Sequence, residues 1–504
     1  MSRQQSLTLV ATILGSTVVF LDSTVVNVAL PPIAEGLDAG LAGQQWIVEA
    51  YMLALVSLLL VGGSLGDQFG RRRMFVFGLI GFGATSALCA VAPSVGVLIA
   101  ARALQGVAGA LLVPGSLAIV AATFEGAARG KAVGTWTAWT GIATVIGPAG
   151  GGALVSLTSW RAIFWVNLPL IAATVALTMH SVRESRDPDA FRGVDWPGIF
   201  LSAAGLGGPV FALIEQPSRG WGDPAVWIPL LAGIACLVLF VLREARARHP
   251  MLDLGLFRIR NFAVTNLTTL STYAGLIGGL FFVGLFLQQV AGYTPLEAGL
   301  ATTPVSLILF FLSPRWGRLA SGTGPRLPMT AGPIVGGLGL LLLLRVGSGA
   351  DYASEVLPAI LVFGLGLSAT VAPLTATVLD SVEERHVGIA SGVNNGVSRV
   401  AGLLAIAVLG AVVSARFAAL APGVSGGPLT ANAAAASTSA FHLGVAIAGI
   451  LMIAGGIVSA IGIENPQRVV EAVPTRGAAQ AGECGHGADA DCKSATPEPA
   501  GEPA

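Results

Sequence analysis

LDSTVVNVALPP, residues 21–32, decides how the rest of the chain is read. It closes an apolar run that begins near Leu7 and is long enough to cross a bilayer, for which about 20 residues suffice. Asp22 lies inside that run. A charged side chain in hydrocarbon costs several kcal/mol, roughly 3 on insertion scales, so such residues normally face a bundle interior or a water-filled path. Two readings stand side by side. Asp22 is either a proton-titrating carboxylate of a transporter, or a neutral or paired structural residue near a helix end.

The whole chain supports a membrane setting. Of 504 residues, 54% are hydrophobic and 11% charged, against roughly 25% charged in soluble proteins. A formal net charge of zero suggests no nucleic-acid partner. The first apolar run is too long for a cleavable signal peptide and leads directly into Asp22 and Asn27. Cys89 and Cys236 sit in apolar runs and Cys484 and Cys492 in the tail, which gives no disulfide framework. Cys484, His486 and Cys492 lack zinc-site spacing, so no metal is expected. The segment EGAARGK (125–131) lacks the leading glycine of a P-loop, and Ala132 follows Lys131. An ATP-driven pump or other enzyme is therefore not expected, and no cofactor is called for.

Apolar runs predict fourteen spans: 7–30, 45–66, 74–92, 95–120, 131–155, 162–181, 195–215, 225–242, 262–290, 296–313, 326–346, 354–378, 387–415 and 437–462. Irregular backbone cannot face lipid, so each is read as a helix. With the N-terminus inside, the inner loops collect most of the cations, including Arg71, Arg72, Arg73, Arg129, Lys131 and Arg243. The outer loops hold only Arg161, Arg219, Arg345 and Arg416. That bias puts both termini in the cytoplasm. GSLGDQFGRR (63–72) superposes on GRLASGTGPR (317–326) without a gap, Gly63 on Gly317, Gly70 on Gly324 and Arg72 on Arg326. Such internal repeats mark secondary transporters. The expected all-α architecture is two six-helix bundles, residues 1–182 and 262–463. A linker, 183–261, carries two inserted helices (195–215 and 225–242), and a disordered tail spans 464–504.

Three further stretches carry chemistry. GSLGDQFGRRR joins spans two and three: its glycines allow a tight turn, and Asp67 can pair with a nearby arginine or accept from helix N-terminal amides. Gly63, Asp67, Gly70, Arg71 and Arg72 thus read as an inner gate, or more simply as a positively charged anchor with a turn. LIAARALQGVAGA (98–110) places Arg102, Gln105, Gly106 and Gly109 on one face. At ~1.5 Å per residue, Arg102 lies roughly 10 Å and Asp22 roughly 12 Å below the outer boundary. A pair between them is feasible; the rival is an Arg102 that snorkels outward. TWTAWTGIATVIGPAGGGAL (135–154) carries a small-residue stripe, Thr137, Gly141, Thr144, Gly147 and Gly151, for close helix packing, with Pro148 expected to bend the helix.

Taken together these stretches resemble the major facilitator superfamily, and most of all its fourteen-span drug:proton antiporter branch. GPAGGG resembles the family's antiporter motif. SWRAIFWVNLP (159–169), LQQVAGYTPLEAGLATTP (287–304) and SGVNNGVSRVAGLLAIAVLG (391–410) add to the likeness. The resemblance covers nearly all of residues 7–462. It implies a monomer with a central cavity that opens alternately to each side of the bacterial inner membrane. It also implies export of an amphipathic drug or antibiotic driven by the proton gradient. A uniporter or symporter of a small metabolite, and a non-transporting sensor, remain as alternatives.

Asp22, Arg102 and Glu49 are the candidate proton-coupling residues. Glu49, in WIVEAYML (46–53), reads either as a second protonation site or as an interfacial acid at the outer end of span two. Gly141, Gly147, Pro148 and Gly151 form the antiporter motif. Ser23, Asn27, Gln105, Tyr273, Asn395 and Arg399 are candidates for the substrate cavity. Ser23 and Asn27 share a stripe of the first helix with Thr12 and Ser16, whereas Asp22 lies roughly 110° away and is expected to face span four. Phe281, Phe282 and Phe286 line either an aromatic pocket or the lipid boundary.

Overall fold

The computed structural model describes residues 1–186, 195–247, 254–383, 387–422 and 431–465. The predicted tail from residue 466 onward, with Cys484, His486 and Cys492, lies outside these, whereas its first two residues, Glu464 and Asn465, are described and bond Arg260 and Arg326. The fold is built from helices α1 (Arg3–Leu37), α2 (Leu41–Phe69), α3 (Arg71–Ala90), α4 (Val95–Thr123), α5 (Gly126–Leu157), α6 (Ala162–Trp165) and α7 (Asn167–Ser181). These are followed by α8 (Trp196–Arg219), α9 (Pro224–Glu244), α10 (Arg260–Gln289), α11 (Pro295–Thr323), α12 (Arg326–Leu342), α13 (Leu357–Asp380), α14 (Val387–Leu420) and α15 (Ala431–Gly462). Among the described residues, twelve helical segments are long and apolar enough to cross a membrane, and α2 makes thirteen. The expected fourteen is thus reduced. The Leu41–Leu59 and Val61–Phe69 parts of α2 meet at 51°, and in α5 only Ile146–Leu157 qualifies, as a shorter apolar helix.

Several boundaries differ from expectation for local reasons. α1 continues through Pro31 and Pro32 to Leu37 and stops only where Asp38 turns left-handed, at φ 54°. The span 162–181 is broken at Val166 into α6 and α7. α2 begins at Leu41 rather than 45, which carries Glu49 two turns into the helix.

α1 through α7 pack among themselves, chiefly α2 on α4, α3 on α4 and α1 on α5; α10 through α15 do likewise, with α12 on α13 and α10 on α15. The α8–α9 hairpin rests on α2 and α14 through α8. One end of the molecule gathers the starts of α1 and α3 and the end of α7: Thr8 donates to the Ser181 carbonyl at 3.0 Å, and the Arg71 amide to that of Ser185 at 3.0 Å. We call this the Arg71 end. At the opposite, Ser94 end, Arg161 donates to the Ala92 carbonyl.

The repeated motif is structurally repeated. Gly70 ends α2 at φ 112° and Gly324 ends α11 at φ 91°, backbone settings that favour glycine. Beyond each, a side chain arriving from the last helix of its group caps the next helix. Glu184 accepts from the Arg72 and Arg73 amides (3.0 and 3.2 Å), and Asn465 accepts from the Arg326 amide (3.1 Å). A carboxylate there also meets the positive end of the α3 dipole.

Contacts across the two helix groups cluster at the Ser94 end. Gln288 donates to the Val28 carbonyl (3.0 Å), Gln45 to that of Ile406 (2.8 Å), and the Leu296 amide to Ser156 (3.3 Å). GPAGGG explains how closely α5 and α11 approach. A Cβ on Gly152 would strike the Pro295 carbonyl, and one on Gly299 the Pro148 carbonyl. On its other side, α5 presents Gly147 to Thr24 and Gly151 to Val25 of α1. Only a helix face bare of side chains lets two neighbours in at one level. The side chains of Thr137 and Thr144, and the surroundings of Gly141, lie outside the described set.

Candidate functional site

Asp22 is 3% exposed and Arg102 1%. The depth argument put them at one level, and the structure brings them together: Arg102 Nη1 lies 2.5 Å from Asp22 Oδ2. A buried ion pair is tolerable only where further hydrogen bonds serve its remaining polar atoms, and several do so here. Arg102 donates to Gln105 Oε1 (2.7 Å) and, through Nε, to the Ile47 carbonyl (3.2 Å). Its guanidinium carbon stands 4.2 Å from the Tyr51 ring centre, a cation–π distance. Asp22 Oδ1 accepts from Gln105 (3.2 Å) and Asn167 (3.3 Å). Asn167 reaches on to Ser86 (3.1 Å), which donates to the Phe164 carbonyl (2.8 Å). The network therefore ties α1, α2, α3, α4, α6 and α7 at a single carboxylate. Gln105, predicted for the cavity, belongs to this network instead, because it shares the α4 face of Arg102.

Sequence reasoning missed Asn167, Ser86 and Tyr51. Asn167 had a signal: it is a polar residue inside an apolar span, in SWRAIFWVNLP. The break before α7 puts it at the first residue of that helix, where its side chain faces the core. Ser86 and Tyr51 gave none, since isolated hydroxyls are ordinary in such helices.

Glu49 is enclosed by protein rather than by solvent. It is 0% exposed, and neither carboxyl oxygen has a hydrogen-bond partner among the described residues. It shares a face of α2 with Trp46 and Leu53, which pack with Val210, Ile214 and Leu403 of α8 and α14.

The gate motif is held within one group of helices. Arg71 pairs with Asp67 one turn earlier, Nε to Oδ1 at 2.7 Å, and Arg72 donates to the Val182 carbonyl at 3.3 Å. Of the two roles open to Asp67, the structure shows the pairing with an arginine; the helix N-terminal amides are taken by Glu184. Gly63 lies in ordinary contact with Pro114.

The polar stripe of α1 divides as follows. Ser16 bonds Ser116 (2.7 Å) and Trp136 (3.2 Å), so that part faces α4 and α5. Ser23 is partly buried and donates to the Phe20 carbonyl; the Asn27 Oδ1 is buried without a partner among the described residues. Across from Phe20 stands Arg399 of α14, its guanidinium carbon 5.8 Å from the ring centre. Asn395 is exposed and bonds only the Ser391 carbonyl of its own helix. The α10 face with Asn266 and Thr269 is covered by Asn394, which bonds both; Tyr273, further along that face, is half-buried. Phe282 and Phe286 are buried and line a cavity of about 420 Å³ with Gln45, Gln289, Phe417 and Phe441, while Phe281 is packed in the core.

Comparison with known proteins agrees with this architecture. Residues 12–406 match the model of the Major Facilitator Superfamily. The chain is 37% identical to the multidrug resistance protein Stp of Mycobacterium tuberculosis over 416 residues, covering 82% of this chain and 77% of that one. It is 36% identical to the tetracenomycin C resistance and export protein of Streptomyces glaucescens, covering 81% and 76%. Among solved structures it is similar to a bacterial homologue of the lysosomal transporter Spinster, captured inward-facing and unoccupied. The TM-score is 0.66 at 14% identity, over 91% of this chain and 97% of that one.

Proposed function

Because this chain belongs to the Major Facilitator Superfamily, a multi-pass membrane transporter family and not an enzyme family, we propose that it is a proton-coupled antiporter. It exports an amphipathic drug or antibiotic from the cytoplasm across the bacterial inner membrane. On this reading α2 and α5 complete fourteen spans, as two six-helix bundles flanking the α8–α9 insert, in a monomer with both termini cytoplasmic. The Arg71 end is then the cytoplasmic one. The cross-bundle contacts at the Ser94 end make the present state inward-open.

The observation that carries the reading is the buried Asp22–Arg102 pair. A carboxylate at this depth with one cationic partner has two chemically distinct states. Ionised, it holds Arg102 and accepts from Gln105 and Asn167. Protonated, it gives up the charge attraction but can still donate to Gln105, while Arg102 keeps the Ile47 carbonyl and the Tyr51 ring. Proton uptake thus weakens the seam between α1 and α4 and leaves Arg102 without its countercharge, held only by Gln105, the Ile47 carbonyl and the Tyr51 ring. Small changes at such a seam bias a two-state assembly. The names of the relatives, resistance and export proteins, favour a drug as the exchanged solute.

The test is drug uptake into inverted vesicles under an imposed pH gradient. Uptake that collapses with a protonophore supports the antiporter; uptake that persists undiminished leaves a uniporter. A reconstituted protein with no substrate flux at all would fit the sensor.

A further inference from the structure

Arg399 is a cation near the middle of α14, about 18 Å from the helix start at 1.5 Å per residue. None of the ion pairs formed among the described residues includes it. Its guanidinium stands against the Phe20 ring across the seam, within electrostatic reach of Tyr51. An unpaired charge at this depth normally lines a path for solute or ions.

Its surroundings form such a path. Gly392, Asn395, Gly396 and Arg399 follow one another at i, i+3, i+4 and i+7, and so share one face of α14. Toward the Arg71 end this face is open: a Cβ on Gly392 or Gly396 would meet nothing within 4 Å, and Asn395 is exposed. Just beyond Arg399 it closes, with Leu403 buried against α8 and α2 and the Ile406 carbonyl bound by Gln45. Arg399 therefore stands where an open cleft ends. The opposing wall carries the Phe20 ring, backed by the buried Trp136 edge-on at 6.4 Å. Of the two mid-helix acids nearest this level, Asp22 is bound to Arg102, and Glu49 forms no ion pair among the described residues and lies on the α2 face that packs with α8 and α14.

We propose that Arg399 is an anion-recognition residue at the closed end of the cleft, and that the exported compound is an acidic aromatic molecule. That is a planar ring system bearing a carboxylate, a sulfonate or an ionised phenol. This names the substrate class of the exporter described above and rests on that reading. A guanidinium presents a planar fork that matches an oxyanion in two-point fashion, and it stacks on aromatic faces as well. A ligand ring can lie along Phe20 while its acidic group meets Arg399. A cationic ligand at the same place would be rejected by roughly a hundredfold or more, taking about 5 Å separation and an effective dielectric of 20.

The purified full-length chain in lipid nanodiscs supplies the test, with three fluorescent probes on one scaffold. These are 1-anilinonaphthalene-8-sulfonate, its neutral parent N-phenyl-1-naphthylamine, and a trimethylammonium analogue. The protein is expected to bind the sulfonate at least ~10-fold more tightly than the neutral parent, the range of a charge-assisted hydrogen bond, and to bind the cation least. Arg399→Gln should abolish that preference while leaving the neutral probe bound as before, which also shows that the variant is folded. Arg399→Lys should keep part of it. Equal binding of all three probes by the unmodified protein, or a preference that survives Arg399→Gln, overturns the proposal. Binding is read without transport. Retained discrimination in a protein that moves no drug would uphold the role of Arg399 and remove only the exporter reading.

Discussion

Replacing Asp22 by Asn and Arg102 by Met should cost the fold unequal amounts, and the inequality follows from the geometry. At an effective dielectric of about 20 and a charge separation of ~4 Å, the pair is worth about 4 kcal/mol. Breaking a buried pair typically costs 3–5 kcal/mol, because the survivor is left as an uncompensated charge. Arginine cannot discard its proton, so Asp22→Asn strands a permanent cation. The Ile47 carbonyl, Gln105 and the Tyr51 ring soften that cost. A loss of about 3 kcal/mol is expected. In Arg102→Met the remaining carboxyl can take up a proton and keeps the Gln105 and Asn167 amides, so the loss should be about 1–2 kcal/mol. The double variant should then be more stable than Asp22→Asn alone, with a coupling energy of about 2 kcal/mol. Thermal unfolding in detergent, followed by tryptophan fluorescence and by labelling of the buried Cys89, gives the order of the four proteins. Additive losses, or an Asp22→Asn protein as stable as the parent, would refute the reasoning.

Two further outcomes are expected. Gly152→Leu should wedge α5 from α11 at the Pro295 carbonyl; spin labels at Ser156 and Leu296 should report a longer, broader distance, and an unchanged distribution would mean that the glycine contact does not hold this end. The hydrogen bond from Arg243 to Asp195, at the mouth of the α8–α9 hairpin, holds that carboxyl below the usual aspartate range. A depressed folded value means that its stabilisation is present above the ordinary range near pH 4 and is lost as pH falls through the folded value. Proteolytic protection of the hairpin should fall with pH in that acid window, and Arg243→Gln should flatten the profile.

The helical class and the Asp22–Arg102 pairing were legible because both rest on regular arithmetic. Apolar runs count residues across a bilayer, and 1.5 Å per residue sets depth. The Gly70 and Gly324 turns were legible for a similar reason, since a gapless superposition carries the same backbone requirement. What the sequence hid was set by neighbours distant in the chain. Glu184 reaches the start of α3 from across 112 residues, so the helix cap is supplied by a residue no local pattern marks, while Asp67 takes the arginine pairing that was its other option. Asn167 joined the Asp22 network because α6 and α7 break just before it. Glu49 gave no sign in its own helix of being enclosed, because its burial comes from α8 and α14, far along the chain.

The central claim is that Asp22 is the carboxylate through which proton and drug exchange, and proton flux tests it most directly. In proteoliposomes carrying an internal pH indicator, a drug gradient should drive protons in the opposite direction. Asp22→Asn should abolish that counter-flux while drug binding persists. An Asp22→Asn protein that still moves protons against drug at the parent rate would contradict the account.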